Sequence, residues 1–383
     1  MKKILYYTAR DMSIPTEGIT KKIWYQIHAL ESYGYLVDVV YRKNNEDLII
    51  RKDDQEKIIK HGMRRPYKVE ASRFLRYYLR KHSYEGIYIR YVFDDPQFQR
   101  LLKQLKKSKT RILIEIPTYP YDTELKDNLE NKIVLLLDRM YRNRMKKYVD
   151  GIAAISNKKE KEIYGIPAFE IKNGVNFDEI CIAERNDKSR DCINLIAVAG
   201  FAKWHAFERV IHGMGRYYRK SNPKKIVFHL VGDGPEQQTY REYIKKYGLE
   251  EKVILYGFKS GEELTKIYNT ADIAVSSLGM HRIGFTTGQT LKSKEYGAKG
   301  LPIISEYLVE EYPEGAQYQM LAPMDESPID MEKVVAMYEQ LLKSDVQMQR
   351  ELIRNTVKEE ADIKAVMRPV AEFFEEKKQR RKR

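Results

Sequence analysis

NLIAVAGFAKWHAFERVI, residues 194–211, runs from an unbroken apolar stretch through Gly200 into a segment with helical spacing. A short apolar run that ends on glycine reads as a buried strand, and the residues after the glycine as the turn into a helix. The same alternation recurs downstream in KIVFHLVGDG (225–234), KVILYGF (252–258), DIAVSSL (272–278) and GLPIIS (300–305). Upstream it recurs in MKKILYYTA (1–9), YLVDVVY (35–41), GIYIRYV (86–92), RILIEIP (111–117) and GIAAIS (151–156). Between the first two of these, KKIWYQIHALESYGY sets Ile23, Ile27 and Leu30 on one helical side and stops at Gly34. Strands that alternate with helices in this way predict α/β domains of parallel βαβ units, doubly wound and Rossmann-like.

A chain of 383 residues exceeds what one core usually serves. The expected division is a first domain over 1–175, a polar linker over 176–192 (NFDEICIAERNDKSRDC), a second domain over 193–350, and a terminal segment over 351–383. The helices of that segment carry Pro369, where a kink is expected, and end in the basic run KKQRRKR, which reads as disordered. Two doubly wound domains facing across a cleft would gather ligands at the C-terminal ends of their strands.

Composition narrows the class. No stretch of about 18 apolar residues exists, and the N-terminus has too short an apolar run for a signal peptide, so a cytosolic protein is expected. The two cysteines, Cys181 and Cys192, have no metal-ligand spacing and fit a reducing compartment. The net charge of +14 is concentrated early: residues 51–150 hold 25 Lys+Arg against 14 Asp+Glu. An anionic partner should meet that region first. In ASRFLRYYLRKH (71–82), Phe74, Leu75, Tyr78 and Leu79 share a helical face with Arg73, Arg76, Arg80 and Lys81 around it. This suits a membrane surface better than a DNA groove, while a helix packed on its own domain remains the plain alternative. Nucleic-acid binding rests on charge alone, without a base-reading motif. Asp94 and Asp95 before Pro96 read as a turn, and no metal site is expected.

Several loops stand where strands meet helices. Gly18 opens the first helix, Gly200 ends a strand ahead of Lys203 and His205, Gly232, Asp233 and Gly234 form a tight turn in LVGDGPE, and Gly257 forms another. The stretch TGQTLKSKEYGAKGLPII (287–304) sets a polar loop, a helix start, Lys292 and Glu295 within nine residues. Backbone N–H groups at such starts favour anions.

Taken in order, TEGITKKIWYQIHALESYGYLVDVV, KNGV (172–175), AGFAKWHAFERVI, LVGDGPE, ILYGF, ADIAVSSL and LKSKEYGAKGLPII resemble the retaining nucleotide-sugar glycosyltransferases of the GT-B fold. IRYVFDDPQF and IEIPTYPYD look like the capsular or cell-envelope polysaccharide branch. The resemblance implies Glu295 as acceptor of the donor ribose hydroxyls, and a cradle for phosphates and sugar from the amides of Gly288, Gln289, Thr290 and Leu291. Gly232 and Gly257, with the backbone of Phe258 and Lys259, would line the nucleotide. Lys203, Lys292 and Glu295 would carry the chemistry, and a nearby diphosphate would favour the cationic form of His205. Two departures from the family pattern stand out. Thr287 replaces a glutamate eight positions before Glu295, and His205 followed by Ala206 replaces a lysine and glycine. On the acceptor side a familiar histidine is missing from IEIPTYPYD, where Tyr119, Tyr121 and Asp122 stand instead.

The implied activity is metal-independent transfer with retention, without a cofactor, from a UDP-linked sugar favoured as donor. The acceptor would be a saccharide or polyprenyl-diphosphate-linked sugar at the inner face of a bacterial membrane. The reading from another class is a non-catalytic GT-B-like partner that stabilises a second transferase.

Overall fold

The computed structural model describes residues 2–15, 17–122, 129–156, 160–184, 191–284 and 290–376, without the side chains of 129 and 130. Two compact units emerge, Met1–Lys172 with Val366–Arg383, and Asn173–Ala365.

In the first unit the elements run β1 (Lys3–Asp11), α1 (Gly18–Ser32), β2 (Leu36–Lys43), β3 (Asp47–Lys52), β4 (Gln55–Lys60), α2 (Tyr67–Tyr78) and β5 (Gly86–Arg90). There follow α3 (Pro96–Lys107), β6 (Arg111–Tyr119), α4 (Leu129–Tyr141), β7 (Gly151–Ser156), β8 (Glu162–Ile163) and β9 (Ile166–Glu170). Its nine-stranded sheet has the order β4-β3-β2-β1-β5-β6-β7-β9-β8. The five strands expected from the sequence form its parallel centre, and β3, β4 and β8 add antiparallel edges. Most leucines, isoleucines and tyrosines of these five strands are buried, as strands covered on both faces require, while Leu36 at the start of β2 is exposed and Tyr119 at the end of β6 is partly so.

The second unit holds β10 (Cys192–Val198), α5 (Glu208–Tyr217), β11 (Lys225–Val231), α6 (Gln237–Tyr247), β12 (Val253–Leu255), α7 (Gly261–Tyr268) and β13 (Ile273–Val275). It continues with α8 (Leu291–Ala298), β14 (Ile303–Ser305), β15 (Gln319–Leu321), α9 (Met331–Leu341) and α10 (Val346–Ala361), and α11 (Ile363–Glu375) leads out of it. The sheet order is β12-β11-β10-β13-β14-β15, with every pair parallel. In chain order within the unit this is 3-2-1-4-5-6, the Rossmann winding, and it reverses between β10 and β13.

Three features differ from the sequence expectation. The described part of the segment 176–192 does not behave as a free linker: Phe177 and Ala183 are buried in the second unit, where Arg354 donates to the carbonyls of Phe177 (2.6 Å) and Ile180 (2.7 Å). Buried carbonyls need such donors, and a guanidinium supplies several from one side chain. The break in the terminal helices falls at Asp362, which is extended (φ −64°, ψ 130°) and caps Lys364 N at 2.8 Å. Pro369 lies inside α11. Third, the apolar face of α2 is turned inward. Ala71, Leu75 and Leu79 are in the core, and Phe74 and Tyr78 pack against it, so this helix covers its own sheet.

From Val366 onward the chain belongs to the first unit, where Phe373 and Phe374 seat over Gly151 and Gly86. A Cβ at either glycine would stand 2.6 Å from the ring above it.

Candidate functional site

In the second unit the strand order reverses between β10 and β13, where doubly wound sheets place their ligand crevice, and the helices that follow these two strands pack in separate core clusters, α5 in one and α8 in the other. The loop after β10 and the loop after β13 are stitched together there. Leu278 N donates to the His205 carbonyl (3.0 Å) and Gly279 N to that of Trp204 (3.1 Å).

The glycine turns hold the neighbouring strand ends in register. Gly232 N donates to the Gly257 carbonyl at 2.8 Å. Gly232 has φ +129°, and a Cβ there would meet the Ala199 carbonyl at 1.9 Å; Gly234 has φ +153°, and its Cβ would meet the Gly200 carbonyl at 2.5 Å. Only glycine permits both the conformation and the approach. Gly257 (φ +66°) differs, since a Cβ there would touch nothing within 4 Å, and the next residue, Phe258, exposes its ring.

His205 is buried and lies parallel to the Phe207 ring, with centroids 5.5 Å apart. Ala202 N donates to its Nδ1 at 2.9 Å, so the neutral ring carries its proton on Nε2. Burial, with Lys292 adding to it, drives the imidazole pKa down to about 2. The ligand-free ring is therefore a neutral donor rather than the cation expected beside a diphosphate. Ala206 takes φ +49°, a left-handed conformation that glycine adopts more readily than alanine. Lys203 is exposed, and its carbonyl accepts from Arg282 Nη1 at 2.8 Å.

Helix α8 brings the second group of residues. Thr290 caps it, its Oγ1 accepting from Ser293 N at 3.3 Å, and the same hydroxyl pairs with Tyr307 OH at 2.9 Å. Tyr307 OH in turn pairs with Ser276 Oγ at 3.1 Å. In the first turn of the helix, the Lys292 ammonium donates to Ser277 Oγ at 3.0 Å. Burial lowers its pKa to about 7, with Glu295 pulling the other way. Glu295 is half-buried on the same helix. Lys294, between them in sequence, points elsewhere and is buried against Glu311 at 2.5 Å.

Thus Gly200, His205, Lys292 and the serines after β13 come together at the switch point, and Gly232 and Gly257 adjoin them. Thr287, Gly288 and Gln289 lie outside the described residues. Thr290 and Leu291 begin α8. In the first unit Gly18 is the first residue of α1. Tyr119 packs edge-on against Tyr164, whereas Tyr121 is buried with its hydroxyl on Asp138 (2.6 Å) and Asp122 is bridged by Arg139 and Arg142 (2.7 Å each). Both of the latter side chains are engaged within their own unit. Asp95 caps α3 through Gln97 N (2.7 Å) and Phe98 N (3.1 Å), as the turn reading requires. Among the described residues, no three His, Cys, Asp or Glu side chains are grouped to hold a metal ion.

The sequence reading missed Ser276, Ser277 and a charged cluster at the foot of the 280–283 turn. His281 is bracketed by Glu306 and by Glu326 (Nε2 to Oε1, 2.8 Å), and Arg282 joins Glu208 (2.5 Å) and Glu326. The serines were findable, because they end the apolar run DIAVSSL, and ligands of such sheets gather at the C-terminal ends of the strands. The cluster was not, since its members are spread over more than a hundred residues.

Residues 193–340 match the family model of glycosyl transferases group 1. No curated protein matches the chain by sequence. Among solved structures it is similar to a sucrose-phosphate synthase from Thermosynechococcus elongatus, with TM-score 0.66, 16% identity and 98% of both chains covered. It is similar to a glycosyltransferase from Rickettsia africae, with TM-score 0.65, 12% identity and 97% of both chains covered. A third is Anabaena HepE in complex with UDP, with TM-score 0.57, 13% identity and 97% of this chain and 99% of that one covered. The fold is GT-B, and the family match over 193–340 supports a glycosyltransferase.

Proposed function

We propose that the chain transfers a glycosyl group, with retention and without a metal ion, from a UDP-linked sugar to a saccharide or lipid-linked acceptor of the cell envelope. The observation that carries this reading is the convergence of His205, Ser277 and Lys292 at the reversal between β10 and β13. Cleavage of the bond between the anomeric carbon and the phosphate oxygen leaves a diphosphate gaining negative charge. A lysine withdrawn from solvent, an imidazole N–H and the start of α8 are fixed donors that stabilise that charge without reorganising. On the same face the departing phosphate takes the acceptor's proton, which asks for positioning rather than a strong base. Glu295 holds the ribose hydroxyls. The UDP complex of the structurally similar HepE supports this donor class.

The competing reading, a non-catalytic partner, drew on Thr287 and on the His205–Ala206 pair. Ala206 weakens the second argument, because its backbone takes a conformation that glycine adopts readily.

Release of UDP from a panel of UDP-sugars by the purified chain tests the proposal. Slow turnover that Glu295→Ala abolishes, together with a donor-dependent rise in Tm, is expected. Absence of both a thermal shift and turnover across the panel would refute it.

A further inference from the structure

Three successive carbonyls of the loop after β10 are taken up by one short segment after β13. Those of His205 and Trp204 accept from the amides of Leu278 (3.0 Å) and Gly279 (3.1 Å), and that of Lys203 accepts from Arg282 Nη1 (2.8 Å). The first two donors are backbone, and the third is a side chain. Gly279 lets the two segments meet, since a Cβ there would stand 2.8 Å from the Ala206 methyl and 3.1 Å from the Lys203 carbonyl oxygen.

Arg282 is itself held from two further segments. Nη2 donates to Glu208 in the first turn of α5 (2.5 Å), and Nε (2.9 Å) and Nη2 donate to Glu326 in the loop after β15. A guanidinium can serve these three directions at once with its planar set of five N–H groups, and an ammonium cannot reproduce that fork. The segment that carries Arg282 has a support of its own. The buried Arg209 donates to the carbonyls of Leu278, Pro323 (2.8 Å) and Ser327 (2.8 Å), and Glu306 accepts from Met280 N at 2.6 Å.

We infer that Arg282 is a positioning residue for the diphosphate of the donor, acting through Lys203. Held by the guanidinium, the Lys203 carbonyl keeps the negative end of its dipole on a cation. Released, that peptide would be free to turn its oxygen toward the phosphates, where it repels them, and to carry the exposed Lys203 ammonium out of place. The inference rests on the donor reading of the proposed function and concerns the phosphate end of that crevice.

Calorimetric titration with UDP and with UMP at pH 7 tests it, beside thermal melting of each variant. The wild-type chain should prefer UDP, whose second phosphate meets the lysine and the imidazole. Arg282→Lys, which keeps the charge and loses the fork, and Arg282→Gln should each bind UDP about tenfold more weakly and leave UMP affinity within about twofold. Glu326→Gln loosens the guanidinium from its open side, where the glutamate side chain is 62% exposed, and should weaken UDP binding about threefold without endangering the fold. Unchanged UDP affinity in Arg282→Lys and Glu326→Gln would overturn the inference. So would equal losses for UDP and UMP that follow a lowered Tm, the mark of an arginine that only supports the fold. A wild-type chain that binds neither nucleotide would refute the donor reading and the inference with it, whereas a wild-type chain that prefers UDP beside variants that keep the same preference would sink the inference alone.

Discussion

The Lys292 ammonium lies 3.0 Å from the Ser277 hydroxyl, tying the first turn of α8 to the residue two beyond the end of β13. A cation is thereby held at the switch point before any ligand arrives, with its pKa lowered by burial to about 7.

Proton uptake should accompany donor binding. A diphosphate beside Lys292 raises its pKa, so at pH 8 calorimetry in two buffers of different ionisation enthalpy should show uptake approaching one proton, with affinity falling as pH rises above 7. The sign for stability is opposite to that of an ordinary ion pair: the unfolded lysine keeps its proton up to about pH 10.5, while the folded one releases it near 7. The residue's contribution to stability therefore improves as pH rises between those values. Lys292→Met should remove the uptake and flatten this slope.

His205 can be dissected by its two nitrogens. His205→Asn retains an acceptor for Ala202 N but lacks the outer N–H. It should keep stability within about 1 kcal/mol and lose roughly fivefold to tenfold in UDP affinity. His205→Gln reverses the pattern, losing about 1–3 kcal/mol of stability through the unpaired Ala202 amide while retaining affinity. Equal losses of affinity in both variants would mean that Nε2 does not meet the donor.

Gly232 and Gly257 both have positive φ, yet they should respond differently. At Gly257 a Cβ meets nothing, so Gly257→Ala costs only the conformational term of about 1–2 kcal/mol. At Gly232 the methyl collides with the Ala199 carbonyl, and strand ends must separate to admit it. Gly232→Ala should cost at least about 3 kcal/mol in urea unfolding, or yield no folded protein.

Lys294 and Glu311 are buried together at 2.5 Å. Lys294→Met, which takes the cation from the buried carboxylate, should destabilise by about 3–5 kcal/mol, whereas Lys294→Met with Glu311→Leu should recover most of the loss. A double-mutant cycle followed by thermal melting measures the coupling. Additive losses would show that the pair does not act as a unit.

Much of the fold was legible because a parallel strand buried on both faces must be continuously apolar. NLIAVAG, KIVFHLV and GIYIR therefore announce themselves, and their alternation with helices dictates the winding. The hairpin of β3 and β4 was not legible. It turns through Asp53 and Asp54, both at positive φ, without a glycine, and its outer strand is exposed and charged. Glycine turns at strand ends could be found from spacing, since local geometry creates them, whereas Lys292 and Glu295 of α8 were singled out through the resemblance to a family.

What only the tertiary structure decided were relations between distant segments. It bound Phe177 and Ala183 into the second unit, folded the apolar face of α2 into the core and left that of α4 in solvent. It gave Lys292 to Ser277 and Lys294 to Glu311, although the two lysines are two residues apart on one helix. The sequence by itself determined which faces are apolar and where the chain turns, because periodicity and backbone conformation are local. Which apolar face is covered, and which charge meets which, depends on the elements that pack against it, and those are settled only when the sheet has closed.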